Sequence, residues 1–143
     1  MSEVTWITGM RVAKVSCQMD AVPMDSRAAL VLTLENGAIA TVNASGDSRF
    51  KDRRVRNSIG CTKGSITVEG FGFSTTIEAG EEDPYSFTEA GLPPVAGPVD
   101  NFVDAMRRQA EPFSPGEHGT HVVEVIEAAY KSAASGQTVD LRV

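Results

Sequence analysis

The stretch SPGEHGTHVVEVIEAAYKSAASG, Ser114 to Gly136, decides the fold, because it reads as one long helix with a start, a face and a stop. Ser114 is placed to act as N-cap, and Pro115 suits a first turn where its missing N–H would be unpaired anyway. Glu117, three residues on, completes a capping-box pattern. Gly136 accepts the left-handed conformation that ends a helix. Between these signals Val122, Val125, Ile126, Ala129 and Ala133 recur at three- and four-residue spacing, which predicts one apolar face. Thr138 to Val143 then alternates as a strand does. A helix of this kind needs an apolar layer to lie on.

Upstream, Val99, Phe102, Val103 and Met106 fall at i, i+3, i+4 and i+7, with Asp100, Asp104, Arg107 and Arg108 on the other side, so a second amphipathic helix is expected against the same layer. The layer is supplied by the first two thirds of the chain. Val4 to Thr8 reads as a short helical end closed by Gly9. From Met10 the period becomes two, with Ala13, Val15, Cys17 and Met19 on one face. Arg27 to Glu35 repeats the pattern with Ala28, Leu30, Leu32 and Leu34. Asn36-Gly37 follows directly and predicts a hairpin in which both residues take positive φ, with Ala38 to Ser45 as the return strand. Further strands are expected at Asp52 to Ile59, Ser65 to Glu69 and Phe73 to Glu78, before a long loop from Ala79 to Gly97.

Strands by hairpin, two helices and a last strand predict an α+β domain with a predominantly antiparallel β-sheet of about six or seven strands. Two helices are expected on one face, with the other face open for oligomerisation. At 143 residues the chain is read as a single domain, 1–143. If Leu30, Leu32, Ala40 and Val42 face the helices, then Ala29, Val31, Ile39 and Thr41 alternate outward. That second face is too apolar for a solvated one, so these four residues are expected to form an oligomer interface across a twofold axis.

Composition excludes several function classes. The hydrophobic share of 41% and charged share of 22% are those of an ordinary globular chain, without an apolar run of membrane-spanning length. A net charge of −6 argues against general nucleic-acid binding. No secretory signal opens the sequence, and the cytoplasm is the expected compartment. Cys17 and Cys61 lie in strand-like surroundings without metal or redox spacing and fit a reducing environment.

Few residues carry chemistry. Arg49, Lys51, Arg53, Arg54 and Arg56 form a basic cluster, read first as a charged strand edge that discourages sideways pairing and, as the alternative, as an anion or substrate site. Arg54 and Arg56 share one strand face and are the substrate-binding candidates. Glu117 and His121 have helical metal-site spacing, yet histidines at the start of a helix read more simply as a solvated end, so no metal ligand is assigned. Gly60-Cys61-Thr62-Lys63-Gly64 joins two strands and is a turn rather than a phosphate loop. No histidine lies near Cys61 in sequence to activate it. No catalytic or cofactor-binding residue is assigned.

In order along the chain, Asn36-Gly37, Ile59-Gly60-Cys61-Thr62-Lys63-Gly64-Ser65-Ile66, Pro98-Val99-Asp100-Asn101-Phe102, Glu127-Ala128-Ala129-Tyr130-Lys131-Ser132-Ala133 and Gly136-Gln137-Thr138-Val139 form a set. From about Trp6 onward the sequence resembles the C-terminal domain of the glucose–fructose oxidoreductase/inositol dehydrogenase (Gfo/Idh/MocA) family. The resemblance implies a domain that shapes a sugar-like substrate site and forms oligomers through its open sheet, beside a Rossmann domain holding NAD or NADP. The family's glycine-rich loop, catalytic Lys and Asp/His helix have no counterpart here. Met1-Ser2-Glu3-Val4 stands where the end of the Asp/His helix would be. The resemblance therefore implies a non-catalytic domain, with NAD or NADP belonging to the full-length parent. The alternative is a stand-alone binding or scaffold protein that uses the open sheet face.

Overall fold

The computed structural model describes residues 1–21, 25–47, 55–70, 73–95 and 97–141. In chain order the elements are α1 (Ser2–Thr8), β1 (Val12–Met19), β2 (Arg27–Leu34), β3 (Ile39–Ser45), β4 (Val55–Cys61), β5 (Gly64–Gly70), β6 (Ser74–Ala79), β7 (Tyr85–Thr88), α2 (Pro98–Met106), α3 (Gly116–Ser135) and β8 (Val139–Asp140). The α+β reading holds, and the described strands form two antiparallel sheets of four. They belong to two compact units, one made of Met1–Ser48 with Pro98–Val143 and the other of Arg49–Gly97.

In the first unit the strand order is β3-β2-β1-β8. The period-two pattern of the sequence is realised on β2, where Leu30, Leu32 and Leu34 are buried while Ala29 and Val31 are exposed. These leucines join Val12, Val15 and Cys17 of β1 and Val125, Ala128 and Ala129 of α3 in one core. Leu32 and Val15 are both 0% exposed, and each such aliphatic side chain contributes about 1.5–3 kcal/mol by burial. Ala128 and Ala129 place small side chains where the helix meets the sheet. The β2–β3 hairpin forms as expected, with a different turn. Ala38 donates its N–H to Asn36 Oδ1 at 2.9 Å, and Gly37 alone of the Asn-Gly pair has positive φ, at 89°. The side-chain acceptor holds Asn36 in an ordinary conformation, so only one residue needs the left-handed region.

Three helical expectations are corrected. Pro115 is the N-cap of α3 and no side chain caps the helix, so Ser114 does not. The buried face consists of His121, Val125, Ala128, Ala129 and Ser132. Ile126 lies outside it at 37% exposure, because His121 and Ser132 bond to β1 and thereby turn the helix. On α2 the expected apolar stripe is uncovered, with Val99 74%, Phe102 64% and Met106 70% exposed. Asn101 is buried instead: its Nδ2 donates to Glu111 O at 2.9 Å and its Oδ1 accepts from Phe113 N at 2.8 Å. The helix is oriented by the loop that this amide organises, so the stripe does not reach the sheet.

In the second unit the order is β4-β5-β6-β7. Ile59, Ile66, Ile77 and Tyr85 stand opposite one another in register, and Asn57, Val68, Thr75 and Phe87 form the next row on the same face. The reverse face is polar, with Ser65 donating to Glu78 at 2.8 Å and Arg56 meeting Glu69 at 3.5 Å. Strand β7 lies within the stretch expected to be a loop; four residues after Asp83-Pro84 are too few to show a period.

Candidate functional site

Helix α3 lies along the edge of β1 that β8 covers only in part. Val139 and Asp140 pair with Val15 and Lys14, and Leu141 donates to Ala13 O at 2.8 Å. Beyond so short a strand the backbone donors of β1 need other acceptors, since an unpaired buried N–H costs about 1–3 kcal/mol. The helix supplies them from two ends of one stripe. Val12 N–H donates to His121 Nε2 at 2.8 Å, and Cys17 N–H donates to Ser132 Oγ at 2.9 Å.

His121 is 4% exposed, which corrects its reading as a solvated helix end. Its Nε2 accepts from Val12, so the proton of the neutral ring sits on Nδ1, facing Glu124 Oε2 at 3.0 Å. Arg11 reaches the same carboxylate oxygen at 3.1 Å. With both nitrogens committed, His121 has no lone pair free for a metal or for a substrate proton, and its role is to hold α3 against β1.

Beside it is a cleft of about 220 Å³ lined by residues that include Trp6, Arg11, Phe113, Glu117, His118 and His121. Trp6 Nε1–H donates to Phe113 O at 3.2 Å, which ties α1 to the loop that Asn101 organises. Trp6, 63% exposed, and Phe113, 48% exposed, leave apolar surface at the rim.

The outward face of the first sheet carries the expected interface residues. Ala29, Val31, Ile39 and Thr41 are all exposed, Ile39 at 72%. Register places Ser16 beside Val31 and Thr41 in one row, and Gln18 beside Ala29 and Asn43 in the next. These rows line an open concavity of about 510 Å³, closed at one side by Gln137 and Thr138. Thr138 Oγ1 and Ser16 Oγ lie 2.7 Å apart and join the ends of that wall.

The basic candidates separate. Arg56 lies on the polar face of β4 and is paired across the strands with Glu69, both side chains being largely exposed. Arg54, like Arg49, Lys51 and Arg53, is outside the described residues. Residues Gly60 to Gly64 form the β4–β5 turn, with Cys61 opposite Gly64, as expected of a connection between strands.

Two groups near the first sheet, Cys17 and Tyr130, have their ionisation pushed up. Burial pushes the Cys17 thiol above its ordinary range, and the charge of Asp25 adds to this, so this cysteine is a poor nucleophile. Tyr130 donates its hydroxyl to Asp25 Oδ1 at 2.6 Å, and that bond to a carboxylate holds the phenol proton on.

The sequence had a signal for His121 and Ser132 that the apolar pattern hid. Positions 121, 125, 128 and 132 follow the four-three-four spacing of a single helical stripe, with polar residues only at its ends.

A search of curated proteins finds no match to this chain. Among solved structures, a Thermotoga maritima protein assigned as an oxidoreductase superposes with a TM-score of 0.85 at 20% identity, over 98% of this chain and 44% of that one. The aldose-aldose oxidoreductase of Caulobacter crescentus, complexed with glycerol, gives 0.83 at 20% identity, over 98% of this chain and 44% of its own. An Agrobacterium radiobacter oxidoreductase in complex with NAD+, L-tartaric acid and magnesium gives 0.75 at 20% identity, over 96% and 45%. The chain thus spans less than half the length of each of these structures, and at such identity the likeness is one of fold. The family model described as "Oxidoreductase family, C-terminal alpha/beta domain" matches residues 4–141. With nearly every residue inside that match, the chain belongs to the Gfo/Idh/MocA oxidoreductase family, as its C-terminal α/β domain.

Proposed function

We propose that this chain is the substrate-shaping and oligomerisation domain of an NAD(P)-dependent oxidoreductase acting on a sugar or polyol hydroxyl, and that it transfers no hydride alone. The observation that carries the reading is the match of residues 4–141 to the C-terminal domain of that family. Relatives of the same fold have been seen with glycerol, and with NAD+ and tartaric acid, which favours a polyhydroxylated substrate for the parent enzyme. Of the described residues, the buried His121 accepts from the Val12 N–H, and burial pushes the Cys17 thiol up.

In this reading the dinucleotide, NAD or NADP, belongs to a Rossmann domain of the parent. This domain contributes the wall of the substrate cleft, with Arg54 and Arg56 as candidates for holding hydroxyl or carboxylate oxygens. Ala29, Val31, Ile39 and Thr41 are the surface for self-association. Neither nucleic acid nor membrane is a partner, and the cytoplasm is the compartment; no helix among the described residues is long and apolar enough to cross a bilayer.

Calorimetric titration of the chain with NADH tests the division of labour. No saturable binding in the micromolar range is expected, and saturable binding would overturn the reading. Sedimentation tests the interface: Val31→Lys with Ile39→Lys should abolish association through that face while the circular dichroism spectrum stays unchanged. A spectrum and mass both identical to the unmodified chain would remove these residues from the interface.

A further inference from the structure

We propose that Asn36 is a self-modifying site, at which the Gly37 nitrogen displaces the Asn36 side-chain amide and water then leaves aspartate or isoaspartate at the tip of the β2–β3 hairpin. The reactants are held together by the turn. Ala38 N–H donates to Asn36 Oδ1 at 2.9 Å, which closes a ring that contains both Asn36 Cγ and the Gly37 nitrogen. That bond also sets a donor on the oxygen that gains charge when Cγ is attacked, as an oxyanion hole does. Glycine completes the arrangement. Gly37 has φ of 89° and no atom within 4 Å of where a Cβ would lie, so nothing hinders the approach. Gly37 N–H donates to Leu34 O at 2.9 Å and must leave it to react. Residues Asn36, Gly37 and Ala38 are all exposed, and such a tip opens locally without unfolding the sheet.

The chemistry balances with water as the only co-reactant. The Gly37 nitrogen gives its proton to solvent and bonds to Asn36 Cγ, the Cγ–Nδ2 bond breaks, and ammonia leaves a succinimide ring. Water adds to one of the two ring carbonyls. Opening at Cγ returns an aspartate in the ordinary backbone, whereas opening at the main-chain carbonyl leaves the chain running through Cγ as isoaspartate.

The fold makes the site selective among the four asparagines of the chain. Asn43 lies in β3 opposite Ala29 and Asn57 in β4 opposite Val68, so the ladders hold both in extended backbone, followed by Ala44 and Ser58. Asn101 is buried in α2, with its Oδ1 and Nδ2 both bonded. The two products differ in consequence. Aspartate keeps an oxygen for the Ala38 N–H and adds one negative charge. Isoaspartate puts one more carbon into the main chain between Leu34 and Ala38, where Leu34 N–H donates to Ala38 O at 2.8 Å, and so loosens the adjoining Thr33–Ile39 pair.

The test ages the full 143-residue chain in neutral buffer and follows each asparagine by peptide mapping and mass spectrometry, with an isoaspartyl-specific methyl transfer assay to separate the products. Asn36 should convert at least about tenfold faster than Asn43, Asn57 or Asn101, and Gly37→Ala should slow it by at least about tenfold, because a Cβ crowds the attacking nitrogen. Equal rates at the four positions would overturn the proposal. If Gly37→Ala misfolds, the unmodified chain decides by itself. Asn36 that stays intact in the folded chain while converting in concentrated urea would show that the hairpin shields the site instead of assembling it. In the isoaspartate form the Leu34 amide should exchange at least about tenfold faster than in the unaged chain, and in the Asn36→Asp chain at an unchanged rate. Identical exchange in all three would remove the effect assigned to the extra backbone carbon.

Discussion

Single residues fix this structure where the backbone leaves no alternative. Gly64 has φ of 154°, and a Cβ built there would fall on the carbonyl oxygen of Glu78 in the neighbouring strand. Gly64→Ala should therefore cost about 2–3 kcal/mol in chemical denaturation. Gly37→Ala, at φ of 89° with open space around it, should cost only about 1 kcal/mol. Equal losses would mean that strand contact adds nothing to backbone strain. Ser132→Ala removes one oxygen but strands the Cys17 N–H, so a loss of about 1–3 kcal/mol is expected. Asp20 acts through charge. Its carboxylate accepts the N–H groups of Arg27 and Ser26 and the Ser26 hydroxyl, which holds its pKa well below the ordinary aspartate range. A lowered folded value stabilises the fold above the unfolded value, and that contribution is lost as pH falls through the folded one. Asp20→Asn should thus flatten the acid limb of a stability–pH curve below about pH 4, while an unchanged limb would show that this clamp carries no linkage.

At the scale of elements, the main question is which stripe of α3 meets the sheet. Val125 is 1% exposed and Ile126 37%. Val125→Ala should cost about 2 kcal/mol, through lost burial and a residual cavity. Ile126→Ala should cost less than about 1 kcal/mol although it deletes more atoms. Urea titration of the two variants separates these orientations, and a larger loss at Ile126 would restore the face suggested by its hydrophobicity. Helix α2 makes the same point in reverse, since its one buried side chain is the polar Asn101 and its apolar residues remain outside. A helix held in place by a loop-organising amide need not turn its apolar stripe inward.

For the whole molecule, the two units differ in how their sheets are supported. The first has a core that includes Val15, Leu32 and Val125, and the described part of the second has no buried residue. Amide exchange at low protein concentration should therefore be slowest in β1 and β2 and faster throughout β4 to β7. Equal protection in both would show that the second sheet is already covered. This contrast also marks the limit of what the sequence determined. The alternation of Leu30, Leu32 and Leu34, the existence and C-terminal end of α3, the Asn36-Gly37 reversal and the family set of motifs were legible because each depends on near neighbours in the chain. The stripe that α3 buries was not. The expected and observed faces share Val125 and Ala129 and differ by a rotation of about 70° at 100° per residue, too small for hydrophobicity alone to resolve. What decided it were two backbone N–H groups of β1, at Val12 and Cys17, which required His121 and Ser132 more than 100 positions away as acceptors. Local periodicity fixes which segments are helix and strand, whereas the pairing of buried donors with distant acceptors fixes how they face, and only the tertiary structure brings those partners together.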